Sequence, residues 1–306
     1  GTEADKSYYA PAPAVSLPKG GGAIKGMGEK FAANPVTGTG SMSVPIATSP
    51  GRSGFGPQLS VSYDSGAGND IFGLGWNLSL PSITRKTDKG LPRYWDAEES
   101  DVFILSGAED LVPLLRADGS REVLDSLDGQ FKVHRYRPRI EGLFARIERW
   151  TKVDSGEAHW RSMTKDNITT LYGQTAESRI ADPSEPTHIF SWLICESYDD
   201  KGNAIRYEYK AENSDGIVTA QVHERNRTLE SRSVNRYLKH IKYGNLVPRQ
   251  SGEDLSLRTD WLFEAVFDYG EHDQINPKPN DAGLWAKRND PFSSSRAGFE
   301  VRTYRL

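Results

Sequence analysis

A single cysteine, Cys195, occurs among the 306 residues, so no disulfide can close within the chain and stability has to come from packing. It stands in the apolar run 188–196, where a thiol behaves as a small buried hydrophobe and has no recognisable nucleophile context. No stretch of about 18 apolar residues is present, which argues against a membrane-spanning helix. The first thirty residues lack the charged segment, apolar core and cleavage site of a secretion leader. Neither sign of charge dominates: 38 Lys and Arg face 42 Asp and Glu, a formal net charge of -4 spread along the chain. Broad attraction to nucleic-acid phosphates is not expected, and the densest basic group, Arg225, Arg227, Arg232 and Arg236, reads as solvated strand edges and turns. Histidine is scarce, at 134, 159, 188, 223, 240 and 272, with no close ligand pair, so no metal or other cofactor is expected.

Convincing helical periodicity is also missing. What is present is 29 Gly, 17 Pro, 7 Trp, 13 Tyr and 11 Phe, a composition suited to many strands joined by tight turns. Residues 1–40, rich in Gly and Pro, have too few apolar side chains to offset ordering and are expected to form an extended or partly disordered arm. From 41 to 306 the texture is that of an all-β domain, mainly antiparallel, with few short helices. Apolar residues alternate with Ser, Gln and Asn over 41–47, 57–63 and 76–80, which puts the apolar set on one strand face. Further strands are expected at 101–105, 111–115, 131–136, 143–150, 158–163, 168–173, 217–223, 236–243, 261–269 and 298–306. Asp118-Gly119 and Asp128-Gly129 are hairpin-turn signals. Residues 176–187, with Pro183 and Pro186, are expected to be a loop or short helical turn.

The clearest unit runs from Trp192 to Tyr209: an apolar strand, a polar turn, and an aromatic strand able to return beside the first. Its repeat-like residues are Tyr198, Asp199, Gly202, Asn203, Tyr207 and Tyr209. Tyr63-Asp64 with Gly68-Asn69, and the more degenerate Tyr243-Gly244-Asn245, echo it at irregular spacing, so a strict solenoid is not indicated. What recurs is a way of reversing a strand.

Chemistry finds little support. Gly20, Gly21 and Gly22 with Lys19 and Lys25 lack the Gly-Lys-Ser/Thr ending of a phosphate loop. The carboxylate pairs Glu98-Glu99, Asp199-Asp200 and Glu253-Asp254 are adjacent in sequence, and neighbours on a strand point to opposite faces, so turn capping suits them better than acid–base work. Asp199, Asp200 and Asn203 lack the full spacing of a helix-loop-helix calcium site. Trp95, Trp150, Trp160 and Trp285 could form a carbohydrate-binding platform if they face water, and a surface-recognition module of a secreted virulence protein is the alternative function carried forward.

Several long motifs in order then carry a resemblance. They are Pro18-Lys-Gly-Gly-Gly-Ala-Ile, Gly38-Thr-Gly-Ser-Met-Ser-Val-Pro-Ile, residues 51–69, Phe72-Gly-Leu-Gly-Trp-Asn-Leu-Ser-Leu-Pro, and Asp290-Pro-Phe-Ser-Ser-Ser-Arg-Ala-Gly-Phe-Glu-Val-Arg-Thr-Tyr-Arg. Together they resemble the amino-terminal SpvB-type domain of the B component of bacterial Tc insecticidal toxin complexes, and equally the amino-terminal part of the Salmonella virulence-plasmid SpvB family. The resemblance implies a noncatalytic segment of an RHS/YD-repeat β shell that encloses a toxic cargo and helps deliver it. Its implied partners are the rest of the B component, the RHS-repeat C component and, indirectly, the pore-forming A component. It implies a secreted or extracellular setting after synthesis in the bacterial cytoplasm. The expected architecture is a continuous antiparallel ribbon, an incomplete part of a larger shell, with sheet edges left for further polypeptide.

Overall fold

The computed structural model describes residues 30–34, 39–106, 109–139 and 142–306. Residues 1–29 of the expected arm, with the Lys19 to Lys25 glycine cluster, lie outside the described residues. The chain opens with β1 (Lys30–Asn34), β2 (Thr39–Ile46) and β3 (Leu59–Asp64). After the short ribbon β4 (Asn69–Asp70) and β5 (Gly73–Leu74) comes β6 (Trp76–Leu78), giving a four-stranded antiparallel sheet in the order β1-β2-β3-β6. The alternation over 41–47, 57–63 and 76–80 therefore produces the expected meander.

The main sheet starts with β7 (Ser82–Arg85), β8 (Phe103–Leu105) and β9 (Glu109–Pro113). It continues through β10 (Val123–Asp125), β11 (Phe131–Pro138), β12 (Phe144–Lys152), β13 (Ala158–Thr164) and β14 (Thr169–Tyr172). Then come β15 (Arg179–Ala181), β16 (Ile189–Tyr198), β17 (Ala204–Ala211), β18 (Arg236–Asn245) and β19 (Trp261–Val266). A last pair, β20 (Phe292–Ser294) and β21 (Val301–Thr303), stands apart. The only α-helix among the described residues is α1 (Leu229–Arg232), one turn capped by Thr228.

The ribbon does not stay open. β7, β8, β9, β11, β12, β13, β14 and β16 pair in succession, and β16 returns to β7, closing an eight-stranded barrel. Closure depends on the length of β16. Its residues 191–193 pair with β7, its residues 194–198 pair with β14 across a register shift, and Glu196, Ser197 and Tyr198 also pair with β17. One strand thus serves as a barrel stave and as the root of the outlying strands β17, β18 and β19.

The barrel interior is filled by side chains from alternate positions, as a small barrel requires. Ile83, Phe103, Leu105, Tyr136, Ile147, Trp160, Tyr172 and Trp192 are all buried there. Phe103 meets Trp160 at 4.9 Å and Trp192 at 5.7 Å, edge to face, and Tyr136 lies 4.9 Å from Trp160. The same core continues under β17 and β18 through Ile205, Tyr207, Leu238, Ile241 and Tyr243, where Phe55 and Leu59 cover it.

Two expected strands change. Residues 217–223 form turns, with Val218 53% and Val222 75% exposed, so their alternation meets no core. The stripe at 261–269 breaks at Val266: Phe263 and Ala265 pack on the main core, whereas Tyr269 joins Tyr237 and Trp285 in a second cluster. Residues 176–187 hold a 3-10 turn at Ala176–Ser178, then β15, then a loop.

Candidate functional site

The β16–β17 hairpin brings its six repeat-like residues together. Tyr198 ends β16, and the Asp199 carboxylate organises the turn: Oδ1 accepts from the Lys201 and Asn203 amides, both at 2.9 Å, and Oδ2 accepts from Asn203 Nδ2 at 2.7 Å. Gly202 has φ +83°, and a Cβ there would lie 2.7 Å from Pro248. Tyr207 enters the core, and the Tyr209 hydroxyl donates to the Ile194 carbonyl at 2.7 Å; burial raises both phenols above their ordinary range.

The degenerate third echo braces this turn. Asn245 is buried, accepts from the Ala204 amide at 2.9 Å and donates from Nδ2 to the Gly202 carbonyl at 2.8 Å. Arg249 lies 3.6 Å over the Tyr198 ring, and Arg52 donates to Asn203 Oδ1 at 3.2 Å. The Tyr63-Asp64 echo repeats only the local Asp bond, from the Gly66 amide to Oδ1 at 2.8 Å.

The outer wall carries a cross-strand row that the sequence alone does not reveal, because it is assembled from eight strands. Register aligns Arg135, Glu148, Arg161, Leu171, Glu196, Arg206, Lys242 and Glu264. Arg206 and Lys242 both reach Glu208, at 2.8 and 3.1 Å. Burial pushes Glu196 up to about 7, which Arg206 at 4.0 Å offsets only in part. Arg161 stacks at 4.0 Å on Trp150, beside a cleft of about 300 Å³ lined also by Leu124, Met163 and Tyr198.

Two buried ionic clusters were also invisible to spacing. At one end of the barrel the fully enclosed Arg85 donates to both Asp96 oxygens at 2.5 and 2.8 Å, to Asp101 at 2.8 Å and to the Ile189 carbonyl at 2.7 Å. Burial works against its charge, and Asp96 and Asp101 hold its pKa above the ordinary value nonetheless. Near β21, Glu212 accepts from Arg305 Nε and the Tyr304 amide, both at 3.0 Å, and from the Tyr237 hydroxyl. Glu224 binds Arg302 at 2.9 Å and the Tyr304 hydroxyl at 2.5 Å.

The residues considered for chemistry are dispersed or occupied. Burial pushes the Cys195 thiol up to about 11, and the thiol donates to the Leu171 carbonyl at 3.3 Å. Burial lowers His134 to about 4 and His159 to about 3. Glu99 receives Arg121 at 2.8 Å, Glu253 receives the Gln250 amide and Arg258, and Asp254 caps the Ser256 amide. Arg227 binds Glu300, Arg232 binds Glu224, and Arg236 donates to three carbonyls, leaving Arg225 exposed. Asp268, Glu271 and His272 could ligate a metal by proximity, but the Lys239 ammonium already sits 2.7 Å from Glu271 and 2.6 Å from His272 Nε2. Of the four tryptophans, Trp160 and Trp285 are buried, while Trp95 and Trp150 each have an arginine over the ring.

The family model described as Salmonella virulence plasmid 65kDa B protein matches residues 34–306. The chain belongs to the SpvB family. Mono(ADP-ribosyl)transferase SpvB of Salmonella choleraesuis is 36% identical over 307 residues, covering 95% of this chain and 49% of that protein. This SpvB-family chain thus spans about half the length of the curated relatives it matches. The solved N-terminal domain of effector protein SpvB from Salmonella typhimurium strain LT2 superposes with a TM-score of 0.76 at 36% identity, covering 86% of this chain and 84% of that one. A chain of the TcdB2-TccC3 crystal structure matches with a TM-score of 0.79 at 36% identity, covering 95% of this chain and 14% of that one. The family domain is therefore shared between an effector and a Tc toxin component.

Proposed function

We propose that this SpvB-family domain is a noncatalytic wall segment of a secreted toxin assembly, contributing to a β shell that encloses a toxic cargo and helps deliver it. The observation that carries this reading is the 95% coverage of the chain by 14% of a TcdB2-TccC3 chain at 36% identity. Its partners are then the rest of a B component and an RHS-repeat C component, with contact to a pore-forming A component made indirectly. On this reading, the ADP-ribosyl transfer named for SpvB is left to the half of that protein outside the match. A solid aromatic barrel interior and carboxylates committed to internal donors support a structural role. The Tyr198 to Tyr209 hairpin is the strand-reversal unit that an RHS/YD-like wall would reuse.

Reconstitution tests the proposal. The chain, fused to the remainder of its B component and co-expressed with the C component, should yield a hollow particle by electron microscopy that shields the cargo from protease. Cargo digested equally fast with and without this domain, or NAD turnover by residues 1–306 alone, would overturn it.

A further inference from the structure

Among the described residues, β19 pairs with β18 alone, and no other backbone group bonds to residues 261–266. Along this six-residue edge the amides and carbonyls of alternate residues, those that point away from β18, are thus left unused, an arrangement that templates strand addition. Its outer face offers Leu262, 58% exposed, beside Glu264; its inner face carries Trp261, Phe263 and Ala265, the last two packed on the core. Leu246, directly after β18, and Leu257, shortly before β19, are exposed. Residues 261–266 contain no proline, bulge or inward charge; the one charged side chain on the edge is the outward Glu264, which meets His240 Nδ1 at 2.7 Å and Lys242 at 4.0 Å on its own side.

We propose that the free edge of β19 accepts one strand of a polypeptide outside this chain, with Lys or Arg opposite Glu264 and apolar residues opposite Leu262, Phe263 and Ala265. Charge chooses the cation. Glu264 ends the outer-wall row, and the next strand continues that row directly against it. A second copy fits poorly: around a two-fold axis, fully overlapped same-face pairing sets Glu264 against Glu264 or against Leu262. Apolar residues on the inner face would extend the half-buried Trp261 and Phe263 surface.

The proposal rests on the shell reading and names where the wall continues. The probe is the peptide acetyl-Thr-Val-Lys-Val-Leu-Thr-amide, compared with the same peptide carrying Glu in place of Lys. Hydrogen exchange on residues 1–306 should slow at 261–266 with the Lys peptide, and Glu264→Lys should weaken that peptide about fivefold while favouring the Glu peptide, the size of one cross-strand charge pair. Glu264→Gln, which removes the charge without introducing a like charge near Lys242, should abolish the preference. Equal response to both peptides in all three chains, absence of protection at 261–266, or protection without peptide that rises with protein concentration would overturn the proposal. Pairing with the peptide but no particle with the C component sinks the shell reading alone. A particle unaffected by Glu264→Lys, with no peptide pairing, sinks the edge alone.

Discussion

Glu212 and Arg305 are enclosed together, and each is held in place by the other's charge. Removing one partner leaves the other buried and uncompensated, so Glu212→Ala is expected to cost about 3–5 kcal/mol in urea unfolding, with Glu212→Gln costing less because it keeps an acceptor. The buried His159 and the half-buried His134 set a pH response. His159 falls to about 3 and His134 to about 4 in the folded chain, against about 6.5 unfolded, so their stabilising contribution is complete above about 6.5 and is lost as pH falls toward those folded values. Glu196, raised to about 7, acts oppositely: its contribution is complete below its unfolded value near 4.5 and fades as pH rises through 7. The urea midpoint at pH 5 should lie below that at pH 7.5 by a smaller margin in His159→Phe than in the parent chain. An unchanged margin would remove His159 from the account.

At the scale of elements, most strands and the tightest turns were legible because they depend on neighbours in sequence. Gly119 and Gly129 take positive φ in the two Asp-Gly turns, and the six residues from Tyr198 to Tyr209 form one hairpin as their pattern suggests. Residues 217–223 misled because alternation reports a face only when something covers it; here the buried carboxylate of Glu224 fixes the segment instead. The brace from Asn245 to the hairpin spans 41 positions and has no local mark. Asn245→Ala strands the Ala204 amide and leaves the Gly202 carbonyl with the Arg249 amide as its remaining donor, and is expected to cost about 2 kcal/mol and to speed amide exchange in the turn before the rest of β17. Uniform acceleration across the chain would argue against a local brace.

For the molecule as a whole, all-β character and the apolar faces could be read from the chain, but closure could not. Period-two alternation is the same in a flat ribbon and in a barrel, and what distinguishes them is the long-range pairing of β16 with both β14 and β7. The outer-wall row was hidden for the same reason, since Arg135 and Glu264 become members of one row only once every register is fixed. The centre of the barrel is its aromatic stack, so Trp192→Ala is expected to cost about 3–5 kcal/mol and to lower the fluorescence and circular-dichroism midpoints together. Separate midpoints would mean that the barrel and the outlying strands melt independently.

The order in which the staves occur along the chain has a consequence for biosynthesis. Strands β7 to β14 can assemble progressively as they leave the ribosome, yet Ile83 waits for Trp192 before the ring can shut. Until then the nascent chain carries two raw margins, on β7 and on β14, and the single late strand β16 seals both while starting the next ribbon.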